Sequence, residues 1–277
     1  MGIKFDKMQG LGNDFVFIDL DYVPPVELTG NSLARICDRC RGIGCDQLIL
    51  YKCRGSEVMI RIYNQDGTAA EMCGNAARCL GLLMHRRYDL LRCAMIADGK
   101  AYDVQVNSNG ICVEMGRPSF DPNEIGLSEF GLDPLFLLDR LPLPKELDVH
   151  NASCVSLGNP HLVLLCGRLP EESVVISLGS TLESYPLFRH RINVSFACVV
   201  RPHKVRLSVF ERGAGLTCAC GSGACATVAI SRVHGAIGTN DVIVEQKGGF
   251  IEVSVTEDLN IFQTGPASHV FCGEIEL

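Results

Sequence analysis

Short apolar runs bounded by turn residues dominate the chain. DFVFID (14–19), QLILY (47–51), EVMIRIY (57–63), HLVLL (161–165) and KVRLSVF (204–210) are rich in β-branched and aromatic residues, which predicts strands. Two hairpins stand out. Val104–Met115 centres on Asn109-Gly110, and 242–255 turns at Lys247-Gly248-Gly249. Helices are fewer, and three segments read as helical. Residues 29–41 carry Leu33, Ile36 and Cys37 on one face, while 74–87 and 221–233 begin with small residues and then turn apolar. In 221–233, Ala224, Cys225, Val228, Ala229 and Ile230 leave almost no polar face, so that helix is expected to be buried. A central helix wrapped by a mostly antiparallel sheet would account for it. Residues 117–144, with Pro118, Pro122, Pro134, Pro142 and Pro144, lack periodicity and read as a connection between two halves.

The polar positions repeat. Asn13 in Gly-Asn-Asp-Phe matches Asn159 in Gly-Asn-Pro-His at an offset of 146 (159 − 13), as Gln47 matches Asn193. Asn64 matches Glu211 at 147, and Cys73-Gly74-Asn75-Ala76 matches Cys220-Gly221-Ser222-Gly223 at the same 147. A duplicated chain is the expectation. It divides into an N-terminal half, 1–118 plus 265–277, carrying Cys73, and a C-terminal half, 119–264, carrying Cys220. The fold class is α+β (α/β by some schemes): two pseudo-symmetric domains, each a mostly antiparallel mixed sheet curled around a central helix.

Composition narrows the function. The 277 residues are 47% apolar and 21% charged, with a net charge of −7, so nothing builds the basic stripe a nucleic-acid binder needs. MGIKFDKMQG has no apolar core of a signal peptide, and no run of 18 apolar residues suggests a membrane span. Fifteen cysteines without a secretory leader fit reduced thiols in the cytoplasm. Cys37, Cys40 and Cys45, or Cys218, Cys220 and Cys225, could be read as metal ligands, but neither set has a second pair of matching spacing. No metal is therefore expected. A thiol-rich metal-binding or redox protein is the alternative of another class.

Cys73 and Cys220 each precede a Gly and a small polar residue at a predicted helix start. Unpaired N–H groups and the helix dipole there favour a thiolate and bind carboxylates. Inverting an amino-acid α-carbon without pyridoxal phosphate needs a base on one face, an acid on the other, and fixed donors for the charge entering the carboxylate. Two thiols, one ionised and one protonated, would supply the pair.

The stretches KMQGLGNDF (7–15), GIGCDQ (42–47), RIYNQDG (61–67), EMCGNAARC (71–79), SLGNPH (156–161), RINVSF (191–196), FERGAG (210–215) and ACGSGACA (219–226) resemble those of the diaminopimelate epimerase family, in family order along the whole chain. The resemblance implies a cofactor-independent isomerase that interconverts LL- and meso-diaminopimelate in lysine and peptidoglycan-precursor synthesis. It implies catalytic thiols at Cys73 and Cys220 and a pKa-modulating pair at His161 and Glu211. Substrate contacts would fall on Asn13, Gln47, Asn64, Gly74, Asn75, Asn159, Asn193, Glu211, Arg212, Gly221 and Ser222. A cytoplasmic homodimer acting on a small molecule, with no nucleic-acid or membrane partner, completes the expectation. A racemase of another amino acid, such as histidine, is the alternative within the superfamily, and Arg212 with the distal polar residues argues against it. Ala76 replaces a family glycine, and Cys218 stands where the family often has another residue.

Overall fold

The computed structural model describes residues 2–23 and 28–276; positions 1 and 277, the outer ends of the expected N-terminal half, lie outside them. The first run of elements is β1 (Ile3–Gly10), β2 (Asn13–Asp19), α1 (Gly30–Cys37), β3 (Gln47–Arg54), β4 (Glu57–Asn64), β5 (Ala69–Ala70), α2 (Gly74–Tyr88), β6 (Arg92–Ala97), β7 (Lys100–Asn107) and β8 (Gly110–Gly116). The second is α3 (Pro122–Ile125), β9 (Val149–Ser156), β10 (Pro160–Cys166), α4 (Glu172–Glu183), β11 (Asn193–Arg201), β12 (Lys204–Glu211), β13 (Gly215–Leu216), α5 (Gly221–Val233), β14 (Asp241–Gln246), β15 (Gly249–Val255) and β16 (Ile261–Gly265). Strand β17 (Ser268–Ile275) follows. Two compact units result: Met1–Glu114 with Thr264–Leu277, and Met115–Gln263.

In the first unit the strands run β17-β1-β2-β3-β4-β6-β7-β8, with β2–β3 and β4–β6 parallel and the other pairs antiparallel. Each parallel step is bridged by a helix, because a parallel neighbour needs a crossover. The second unit repeats this order as β9-β10-β11-β12-β14-β15, with β10–β11 and β12–β14 parallel. Register repeats as well as order. Phe15 pairs with Gln47, and His161 pairs with Asn193, each 32 residues on (47 − 15 and 193 − 161).

Helix α2 touches β1 and β17 near one end of its sheet and β6 and β7 near the other. Strands β1 and β7 are five steps apart, roughly 24 Å in a flat sheet, about twice a helix diameter. One helix reaches both only if the sheet curls around it. Helix α5 likewise touches β9, β10 and β11 as well as β15. Its residues from Gly221 to Ser231 are buried without a break, which is why its sequence lacks a polar face. On the other side, α1 packs on β3 and β4, and α4 on β11 and β12. Leu33, Ile36 and Cys37 of α1 close one core with Val16, Ile18, Leu48 and Leu50. Val175, Leu178 and Leu182 of α4 close the other with Leu162, Leu164, Val194 and Phe196.

Three expectations change. The helix expected over 29–41 stops at Cys37, because the Asp38 Oδ1 takes the N–H groups of Cys40 (2.7 Å) and Arg41 (2.9 Å) and turns the chain. In the first hairpin Asn107 pairs with Gly110, so Ser108-Asn109 form the turn and Gly110 begins the return strand. Gly110 has φ +135°, and a Cβ there would lie 2.9 Å from the Gly265 carbonyl oxygen. Finally, the proline-containing stretch is packed into the second unit. Ile125, Leu127, Leu137 and Leu141 enter its core, and Ser119 and Leu127 bridge to Ser156 and Phe188.

Candidate active site

Cys73 is the N-cap of α2, in extended conformation at φ −119°, ψ 116°. The tight turn Leu11-Gly12, both at positive φ, returns the chain to Asn13 beside it. The Asn13 Nδ2 donates to the Asp46 carboxylate at 2.9 Å. Its Oδ1 therefore faces the other way, accepting from the Asn75 Nδ2 at 3.2 Å and lying 3.7 Å from the Cys73 sulfur. The Asn75 Oδ1 in turn accepts from the Nη2 of Arg78 at 2.7 Å, a fully buried arginine whose Nε donates to the Pro266 carbonyl. Asp46 is held by Arg39, which also grips Asp14, and Lys7 reaches Asp14 at 2.5 Å. Burial would raise the Asp14 pKa, but the Arg39 and Lys7 hydrogen bonds outweigh it and hold the carboxyl well below the usual range. Gln47 and Asn64 face each other across β3–β4, with Nε2 to Oδ1 at 3.5 Å.

The second unit repeats the arrangement with different partners. Cys220 is the N-cap of α5 at φ −122°, ψ 114°. Its sulfur accepts from the Gly223 N–H at 3.4 Å and lies 3.6 Å from the Ser222 hydroxyl. The Asn159 Nδ2 donates to Ser222 Oγ at 3.3 Å, and the Asn159 Oδ1 meets the His161 Nε2 at 3.1 Å. An amide oxygen only accepts, so His161 carries its proton on Nε2. His161 is fully buried, and burial, aided by the Arg212 charge, lowers its pKa to about 3; the ring is neutral at ordinary pH.

The helix start alone predicts an acidic thiol at Cys220. The structure reverses the balance. Burial and then the Glu211 charge push the Cys220 pKa well above its ordinary value, against the smaller opposing pull of Ser222 and the Gly223 N–H. Glu211 also accepts from the Thr217 hydroxyl. The Asn193 Oδ1 accepts from the Arg212 backbone N–H at 3.0 Å, and the Arg212 Nη1 donates to the His190 carbonyl at 3.1 Å.

Contacts therefore join Asn13, Cys73 and Asn75 in the first unit, with Gly74 buried between the last two. Gln47 and Asn64 form their own pair. In the second unit His161, Asn159, Ser222, Cys220 and Glu211 form one chain of contacts, with Gly221 buried at the helix start, and Asn193 with Arg212 forms another group. Four supporting residues escaped the sequence reading: Asp46, Arg78, Gln246 and Glu183, whose Oε1 accepts from the Gly213 N–H at 2.6 Å. Arg78 alone left a signal, as a charge within the largely apolar stretch 74–84 of α2. The cysteines weighed as ligands scatter: Cys37 and Cys45 are buried together in the first core, while Cys40 is exposed. Among the described residues no three His, Cys, Asp or Glu side chains are grouped to hold a metal, and no helix is long and apolar enough to cross a membrane.

Comparison with known proteins places the chain in a family. The family model for diaminopimelate epimerase matches residues 5–120 and 153–270. A diaminopimelate epimerase of Rhizorhabdus wittichii is 39% identical, covering 100% of this chain and 97% of its own. One from Gluconobacter oxydans is 39% identical over 99% of each. Among solved structures, a Bacillus anthracis protein of the PhzF phenazine-biosynthesis family matches with a TM-score of 0.70 at 17% identity over 100% of both chains. A hydroxyproline epimerase of Agrobacterium vitis matches with a TM-score of 0.68 at 12% identity, over 99% of this chain and 92% of its own. At such identity the two structures speak for the fold.

Proposed function

The chain belongs to the diaminopimelate epimerase family, and on that premise we propose that it interconverts LL- and meso-diaminopimelate, with Cys73 and Cys220 as the two proton-transfer groups. The carrying observation is the recurrence of a cysteine as N-cap of a buried helix in both units, each within an amide network.

In this reading Cys220 rests as a protonated thiol, held so by burial and Glu211. The Cys73 thiolate takes the α-proton, forming its S–H as the C–H bond breaks. Cys220 delivers its proton to the opposite face of the carbanion and becomes the thiolate. The reverse reaction exchanges the roles. In that direction the one shared proton starts on Cys73 and Cys220 is the thiolate base. The reacting carboxylate takes the N–H groups at Gly74-Asn75 and Gly221-Ser222, which stabilise charge entering it. Arg212 pairs with the distal carboxylate. Gln47, Asn13, Asn64, Asn159, Asn193 and Glu211 orient the ammonium groups, with His161 holding Asn159 by its Nε2–H. A site built for a distal zwitterion rejects amino acids without one, because its own polar groups would be left unpaired.

Incubation with LL-diaminopimelate in deuterated water should place deuterium at one α-carbon of the product. Cys73→Ser and Cys220→Ser should each lower kcat by at least about 10²-fold with the fold intact. Full activity in either would sink the two-thiol assignment.

A cytoplasmic homodimer is the further part of the proposal. Strand β17 is bonded to β1 yet leaves Val270 54% and Phe271 47% exposed, an apolar outer strand suited to a second copy.

A further inference from the structure

One buried side chain beside Cys220 has no part in the reaction just described. Gln246 ends β14, paired with Gly249 across the turn into β15, and is buried. Its Oε1 accepts from the backbone N–H of Cys220 at 2.8 Å. A backbone amide only donates, so the orientation of the side chain is determined. Among the described residues its Nε2 lies buried without a hydrogen-bond partner.

Packing does not call for an amide at this position. The first unit builds the same hairpin with Ala97 at the corresponding end of β6, paired with Lys100 and buried. An apolar residue thus suffices for the fold, and a buried donor left unpaired is a net cost. What the amide supplies in return is the bond to Cys220.

We propose that Gln246 is a positioning residue for Cys220. The N–H of an N-cap residue lies outside the hydrogen-bond ladder of its helix. The Cys220 sulfur is tied to the helix side through Gly223 and Ser222. Gln246 ties the same residue to the sheet side, 26 positions along the chain. Two anchors on opposite sides fix where the sulfur stands, and proton transfer is sensitive to displacements of a fraction of an ångström. The proposal rests on Cys220 being one of the two proton-transfer groups.

Gln246→Met in the full-length protein removes the acceptor at nearly constant volume. The expected result is a kcat at least fivefold lower, with KM within twofold and a melting temperature within a few degrees of the parent. Iodoacetamide should alkylate Cys220 at least threefold faster, as its anchor loosens, with Cys73 unchanged when each peptide is followed by mass spectrometry. Gln246→Glu keeps an acceptor and should return the Cys220 alkylation rate to the parent value or below. A parental alkylation rate in Gln246→Met would overturn the proposal, as would an activity loss matched by a large fall in melting temperature. Faster alkylation with undiminished kcat would support the anchor and count against Cys220 as a catalytic group.

Discussion

The orientation of a single amide carries much of the chemistry at residue scale. Asn13 stands in a row that ends in a carboxylate at Asp46 and a guanidinium at Arg78, with Asn75 between. The ionised ends can only accept and only donate, so both amides have one permitted orientation, and the Asn13 carbonyl faces the Cys73 sulfur. Asp46→Asn frees Asn13 to flip, and kcat/KM is expected to fall about tenfold, read by steady-state kinetics. Arg39→Gln, which removes the half-exposed bridge and leaves Asp46, should change it less than about twofold. His161 governs a pH effect. Its folded pKa of about 3 lies below its ordinary 6.5, so between these values the unfolded chain binds the extra proton and acid favours unfolding. Melting temperature should fall as pH drops through that window. His161→Gln keeps a donor for Asn159 but cannot titrate, so it should flatten that limb; an unchanged slope would count against a buried neutral ring.

At the scale of elements, helices are seated on sheets through glycines at points of close approach. Gly179 in α4 faces Phe210 on β12, where a Cβ would lie 2.6 Å from both Phe210 Cβ and Cγ. The Phe210 Cβ cannot retreat without its strand, and Glu211 follows it directly. Gly179→Ala is expected to destabilise the protein by about 1–3 kcal/mol, measured by urea denaturation. It should also lower activity, because α4 ends in Glu183, which holds the turn after Arg212. The helix starts were legible in the sequence, since Cys-Gly at the head of an apolar run marks a buried N-terminus. The Cys220 pKa was not. A helix N-terminus lowers a thiol pKa, but full burial and a carboxylate contributed by β12 raise it further.

For the whole molecule, light scattering coupled to size exclusion should give twice the mass of the 30.1 kDa chain. Val270→Asp on β17 should weaken that association at least tenfold while leaving the monomer folded, since Val270 is already half exposed. A monomeric parent protein would end the homodimer proposal.

Local pattern was enough for five strands and two hairpins, for the two helices headed by cysteine, and for the repeat, while β1, β9, β11, β17 and α4 left no clear local signal. Periodicity and turn residues act over a few neighbours, and a repeat in the chain reappears as a repeat in register. It also isolated Cys73 and Cys220 from the other cysteines, because only these two head glycine-containing helix starts in step. Tertiary structure decided what surrounds them. Asp46 reaches Asn13 across 33 positions, Gln246 reaches Cys220 across 26, and Glu183 reaches Gly213 across 30. Such contacts follow from strand order and crossover helices, which no short window of sequence contains. Burial, which sets the protonation of His161 and Cys220, is a property of the packed units and arises only once they have formed.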